Sequence, residues 1–124
     1  MKKIVLDTNF LIDCIRFKID VNEISRLIDE EYKIFIPSSV IKELKKISER
    51  KSKDGDLAKI AIRLIEQKGF ETIETKERDT DESIVRCVEK NDVVGTDDIK
   101  LRKTLKTLGN KIIYLRAKKY LDIS

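Results

Sequence analysis

Ile4-Val5-Leu6-Asp7-Thr8-Asn9-Phe10-Leu11-Ile12-Asp13 is the stretch on which the fold turns. Three apolar residues stop abruptly at an acid, and an amphipathic pattern begins at once. A short apolar run followed by helical periodicity reads as a buried strand passing into a helix. The same grammar recurs at Val93-Val94-Gly95, which runs into Thr96-Asp97-Asp98 and a second helical pattern. Working outward, strands are expected at Ile4 to Leu6, Lys33 to Ile36, Phe70 to Glu74, Asp92 to Gly95 and Lys111 to Leu115. Helices are expected over 9–17, 21–30, 38–49, 56–68, 81–90 and 98–108. Asn9 or Thr8, Asn22, Ser38 or Ser39, and Asp97 are the expected caps. Such alternation predicts an α/β fold with a mostly parallel five-stranded sheet covered on both faces.

The composition suits one domain spanning residues 1–124. Of 124 residues, 40% are hydrophobic and 40% charged, with only four Gly and one Pro, which excludes a disordered or linker-rich chain. Abundant Lys, Glu and Ile without His or Trp resembles the composition of hyperthermophile proteins. A net charge of +4 favours contact with phosphate backbones without specifying it. Cys14 and Cys87 form no C-x-x-C pair and fall in apolar patterns, so both are expected as free thiols in a reducing compartment. The apolar run after Met1-Lys2-Lys3 is far shorter than a signal core or the ~20 residues of a membrane span, so a cytoplasmic protein is expected. The charged segments Ser48 to Gly55 and Thr75 to Thr80 are expected to be mobile.

In open α/β sheets, ligands bind beyond the carboxyl ends of the strands, which directs attention to the acids there. Asp7 ends the first strand. Thr8 and Asn9 already offer capping oxygens, which lessens the structural need for it. At the second acidic strand end, capping accounts most naturally for Asp97, and helical spacing leaves Asp97 and Asp98 both open as inward-facing residues. Asp81 precedes Ile84, Val85 and Val88 by three, four and seven residues and so shares their apolar face. Asp79 and Glu82 project the other way and suit an N-cap pair. Glu43 borders the stripe Val40, Ile41, Leu44 and Ile47, with a surface pair to Lys46 as its structural explanation. Carboxylates gathered in one place repel one another unless a cation neutralises them. With no His available, hard oxygen ligands point to Mg²⁺ or Mn²⁺. Lys42 and Lys46 on one side, and Arg102 on the other, are candidates for holding a phosphate backbone.

The segments Asp7 to Asp13, Pro37 to Leu44, Asp81 to Ile84, Val94 to Arg102 and Ile112 to Arg116 together resemble the PIN-domain ribonucleases, over almost the whole chain. The resemblance implies a three-layer α/β/α sandwich and metal-dependent RNA endonuclease activity. It carries Asp7, Glu43, Asp81 and Asp98 over as the acidic site, with Asp7, Asp81 and Asp98 as metal ligands. Thr96 would order the site, and Asp97 and Asn9 become secondary candidates. Glu82 stands where the family most often has a second Asp. Within the family, the implied role is RNA processing of the ribosomal kind or a VapC-type toxin with an antitoxin partner, and a homodimer is implied for either. A non-catalytic PIN-like module that binds RNA or protein is the alternative without enzymatic activity. A haloacid-dehalogenase-like phosphatase would need a second Asp where Asn9 stands. A receiver-like domain would need paired acids at the first strand end.

Overall fold

The computed structural model describes residues 1–124. Its elements run β1 (Lys2–Leu6), α1 (Thr8–Arg16), a 3-10 turn (Val21–Glu23), α2 (Ile24–Leu27), β2 (Tyr32–Pro37), α3 (Ser38–Ser48), α4 (Lys53–Lys68), β3 (Glu71–Ile73), α5 (Thr80–Cys87), β4 (Val93–Gly95), α6 (Ile99–Thr107), β5 (Lys111–Arg116) and β6 (Tyr120–Ile123). The sheet order is β3-β2-β1-β4-β5-β6, parallel throughout except for β6. Successive strand residues face opposite sides of a sheet. Ile4, Val5 and Leu6 of β1 are all fully buried, and so are Val93 and Val94 of β4 to within 2%, so helices must cover both faces. The expected three-layer α/β architecture is present, with α1, α3 and α4 packed together and α5 packed on α6. A single cluster of 26 buried apolar residues fills it.

The chain winds from β1 to β2 and β3 on one side, then crosses to β4 and β5 on the other. The carboxyl ends of β1 and β4 therefore lie side by side at the point where the winding reverses, which is where doubly wound sheets bind ligands. Register pairs Leu6 with Gly95, and the Asp7 N–H donates to the Gly95 carbonyl at 3.0 Å. Gly95 is needed there. A Cβ on it would stand 2.6 Å from Leu6 Cδ2 and 3.2 Å from the Phe10 ring.

Several sequence expectations are corrected. The sheet has six strands, not five: β6 returns antiparallel to β5 through a turn in which Ala117 and Lys118 take φ of 54° and 55°. The helix expected over 21–30 is a 3-10 turn and one short α-turn. Asp20, rather than Asn22, is its cap, and the acids Asp29, Glu30 and Glu31 oppose the negative end of any longer helix. The helix expected to reach residue 90 ends at Cys87, because Val88 turns extended to lead into β4. Neither Ser38 nor Ser39 caps α3, whose N-cap is Pro37 without a side-chain bond. The segment before Gly55 is tied down, with Ser52 Oγ accepting from the Gly55 N–H as the cap of α4. Thr75 is likewise tied to Ser38 and Ser39. Both cysteines are free thiols, Cys14 buried and Cys87 half-buried. No helix is long and apolar enough to cross a membrane.

Candidate active site

Asp7 leaves β1 with an extended backbone and caps α1, its Oδ1 accepting from the Asn9 N–H at 3.1 Å. This corrects the assignment of that cap to Thr8 or Asn9. The Thr8 hydroxyl oxygen is buried without a hydrogen-bond partner in the protein. The second oxygen of Asp7 accepts from the Thr96 hydroxyl at 2.6 Å, and that hydroxyl oxygen accepts from the Asp98 N–H at 3.1 Å. Thr96 thus holds Asp7 and the start of the β4–α6 connection together. Only 3% of Asp7 is exposed. Burial pushes its carboxyl up to about 6 against the opposing effect of the Thr96 and Asn9 bonds, and the charges of Asp81 and Glu43 push the same way.

Asp98, not Asp97, caps α6, with Oδ1 accepting from the Leu101 N–H at 3.0 Å. Its other carboxylate oxygen takes no part in that cap. Asp97 turns away toward β5, where Oδ1 accepts from the Leu115 N–H at 2.8 Å. Its Oδ2 is buried with no partner. Burial, with the adjacent Asp13 reinforcing it, raises Asp97 to about 6.

Asp81 is half-buried in the first turn of α5, whereas Asp79 and Glu82 are exposed. Asp79 is the N-cap, accepting from the Glu82 N–H at 3.1 Å, and Glu82 pairs with Arg86 at 3.4 Å. This is the division the helical spacing predicts. Burial raises Asp81 first, then the charges of Asp98, Asp79 and Glu43, while Lys100 offsets part of the rise. Glu43 is exposed on α3 and makes no ion pair with Lys46.

The fold thus puts Asp81 and Glu43 in the field of Asp7, and Asp98 and Glu43 in that of Asp81, and no lysine or arginine is salt-bridged to any of the four. No three of them close into a ligand cage. The set is an open, oxygen-only one. It suits a hard cation that keeps much of its coordination for water and phosphate oxygens, as Mg²⁺ does. A buried carboxylate facing further carboxylates with no basic partner is the arrangement such a cation relieves.

Asn9 has an exposed side chain beside this set, while Arg102 is half-buried with its guanidinium 4.3 Å from the Tyr114 ring centroid. Asp13 was not anticipated, although the spacing Asn9, Asp13, Arg16 marks one polar face of α1. These three line a cavity of about 300 Å³ with Arg50, Asp54, Asp97 and Asp98. Lys76 and Arg78 also went unremarked because their segment reads only as charged. They line a second cavity of about 280 Å³ beside Glu43.

Fold and site together define a doubly wound α/β/α domain with an acidic strand-end site. The chain belongs to the PIN-like domain family, whose model matches residues 4–118. It is 30% identical to Ribonuclease VapC4 of Methanocaldococcus jannaschii, covering 99% of this chain and 97% of that protein. Its fold is similar to that of the PIN domain endonuclease Utp24, with a TM-score of 0.80, 25% identity, and 97% and 90% of the two chains covered. It also matches the fold of a domain of a functionally unknown protein from Methanocaldococcus jannaschii DSM 2661, at a TM-score of 0.62 and 21% identity over 94% and 93% of the chains.

Proposed function

We propose that this PIN-domain protein is a divalent-metal-dependent endoribonuclease acting in the cytoplasm, with Asp7, Asp81 and Asp98 as ligands of Mg²⁺ or Mn²⁺ and Glu43 beside them. The observation that carries this reading is the buried, unpaired Asp7 facing Asp81 and Glu43 at the strand ends. When bound, the ion supplies positive charge against the phosphate oxygens and acidifies a water. The chain's own contribution is positional. Thr96 and the Asn9 N–H fix both oxygens of Asp7, so its remaining lone pairs keep one direction. Exposed Glu43 is free to orient the attacking water and take its proton. Lys42, Lys46 and Arg102 hold the RNA backbone, which gives affinity with little sequence information.

Processing of structured RNA is the role we favour. Likeness to a VapC ribonuclease supports a second reading, a toxin held in check by an antitoxin protein. The test is incubation of labelled single-stranded and structured RNAs with Mg²⁺ or Mn²⁺, with chelator and Asp7→Asn as controls. Cleavage that needs the metal and vanishes in Asp7→Asn is expected. Undiminished cleavage in Asp7→Asn overturns the site, and no cleavage of any RNA favours a module that only binds.

A further inference from the structure

We propose that the cleft between α3 and the β3–α5 connection is a phosphate-binding subsite, holding the RNA backbone next to the scissile phosphate; this rests on the nuclease reading above. Ser39, Lys42, Glu43, Lys46, Lys76, Glu77, Arg78 and Thr80 line it, none of them apolar. Four cations face two carboxylates, and none of the four is engaged in a salt bridge. Exposed ion pairs contribute little to stability, and these four cations make none, so the charge they gather around a polar hollow is open to an anion from outside.

The cleft is built rather than incidental. The Thr75 N–H donates to Ser38 Oγ at 2.9 Å, and the Ser39 N–H donates to Thr75 Oγ1 at 3.2 Å, which staples the connection to the first turn of α3. Four residues later Asp79 caps α5. Lys76, Glu77 and Arg78 are therefore strung between two fixed points, across from Lys42 and Lys46 one turn apart on α3. Glu43 belongs both to the cleft and to the acidic set, so the two are contiguous.

The opposite flank shows why the strand should leave on this side. The cavity along α1 is of similar size, but its lining carries four aspartates and two arginines, and Arg16 is already bonded to Asp54 at 2.6 Å. A polyanion is repelled there and attracted at the α3 cleft. The backbone phosphates flanking the cleaved bond thus run past Glu43 toward Lys76 and Arg78.

The test measures binding of fluorescein-labelled single-stranded oligouridylate and of a labelled RNA duplex by anisotropy, in chelator, across a range of salt. The Lys76→Ala/Arg78→Ala double variant is compared with Lys33→Ala/Lys68→Ala, which removes the same charge near the amino end of β2. At about 0.7 per single-strand phosphate contact, loss of two contacts should flatten the log–log salt slope by about 1.4 and weaken binding roughly 25-fold at about 0.1 M salt. Lys76→Arg should restore part of the loss when Arg78 is also restored. Equal affinities in the two double variants overturn the subsite while leaving the nuclease reading intact, and assign these cations to another partner, such as an acidic protein. Failure of the unaltered protein to bind or cut any RNA overturns the nuclease reading itself.

Discussion

Asp7→Asn separates the cost of the acidic site from its use. The folded carboxyl titrates at about 6 against an ordinary 3.8, chiefly because it is buried. For a folded value raised in this way, the group's stabilising contribution is complete below about 3.8 and lost as pH rises through about 6. About two pKa units at 1.36 kcal/mol each put the penalty at pH 7 near 3 kcal/mol. With only 3% of the residue exposed, solvent screening reduces this little. Asparagine does not titrate and keeps an oxygen for the Asn9 N–H. Its amide N–H group faces Thr96 Oγ1, whose O–H loses the carboxylate oxygen it donates to, a mismatch of about 1 kcal/mol. The variant should therefore be less stable than the unaltered protein by up to about 1 kcal/mol near pH 4, and more stable by about 2 kcal/mol near pH 7. Urea unfolding in chelator across that range reads the difference directly. Asp97, which also titrates at about 6, is common to both proteins and cancels. Added Mg²⁺ should then stabilise the unaltered protein by about 2.7 kcal/mol at a hundredfold excess over its Kd, and the variant by far less. A stability difference that stays flat with pH would refute the assignment of Asp7 as a buried, repelled carboxylate.

Two further perturbations follow from the same geometry. Asp81→Asn should lower cleavage by at least the 10- to 100-fold typical of losing even an outer partner of a metal, while Asp79→Asn, which preserves an N-cap side chain, stays near normal; the reverse order in a cleavage assay would refute the reading of α5. Gly95→Ala should destabilise by about 1–3 kcal/mol, since the added Cβ meets Leu6 and the Phe10 ring on either side of Asp7, and an unchanged melting temperature would contradict that packing.

Strand ends that break sharply from apolar to acidic were legible without a structure, because burial on both faces forces a run such as Ile4-Val5-Leu6 and the first acid must lie outside it. β6 was not. Tight hairpin turns usually announce themselves with Asn-Gly, Asp-Gly or another glycine, and here, in a three-residue connection, Ala117 and Lys118 adopt the left-handed conformation with no glycine to mark it. Asp81 could be told from Asp79 and Glu82 by helical spacing because α5 begins at Thr80 and the count is short. The same method fails for Asp97 and Asp98. β4 ends at Gly95, Thr96 is spent on Asp7, and the helix starts only at Ile99, so whichever acid caps depends on how the chain turns between them. Spacing along a helix says nothing about residues before its first turn.

That correction bears on how Asp7 itself is understood. A capping acid was treated as one with its task already explained, yet Asp7 and Asp98 both cap helices and both sit in the acidic set. The two tasks are compatible because a cap uses one lone pair of one oxygen. They also help each other: a backbone N–H bound to a carboxylate fixes its plane and opposes the rise in pKa that burial imposes. Helix N-termini add positive potential where α1 and α6 begin, at the place where the negative charge is concentrated. A site built around N-caps at the reversal point of a doubly wound sheet therefore aims Asp7 and Asp98 with helix N-terminal N–H groups and, at Asp7, the Thr96 hydroxyl, and spends no lysine or arginine on a salt bridge to either.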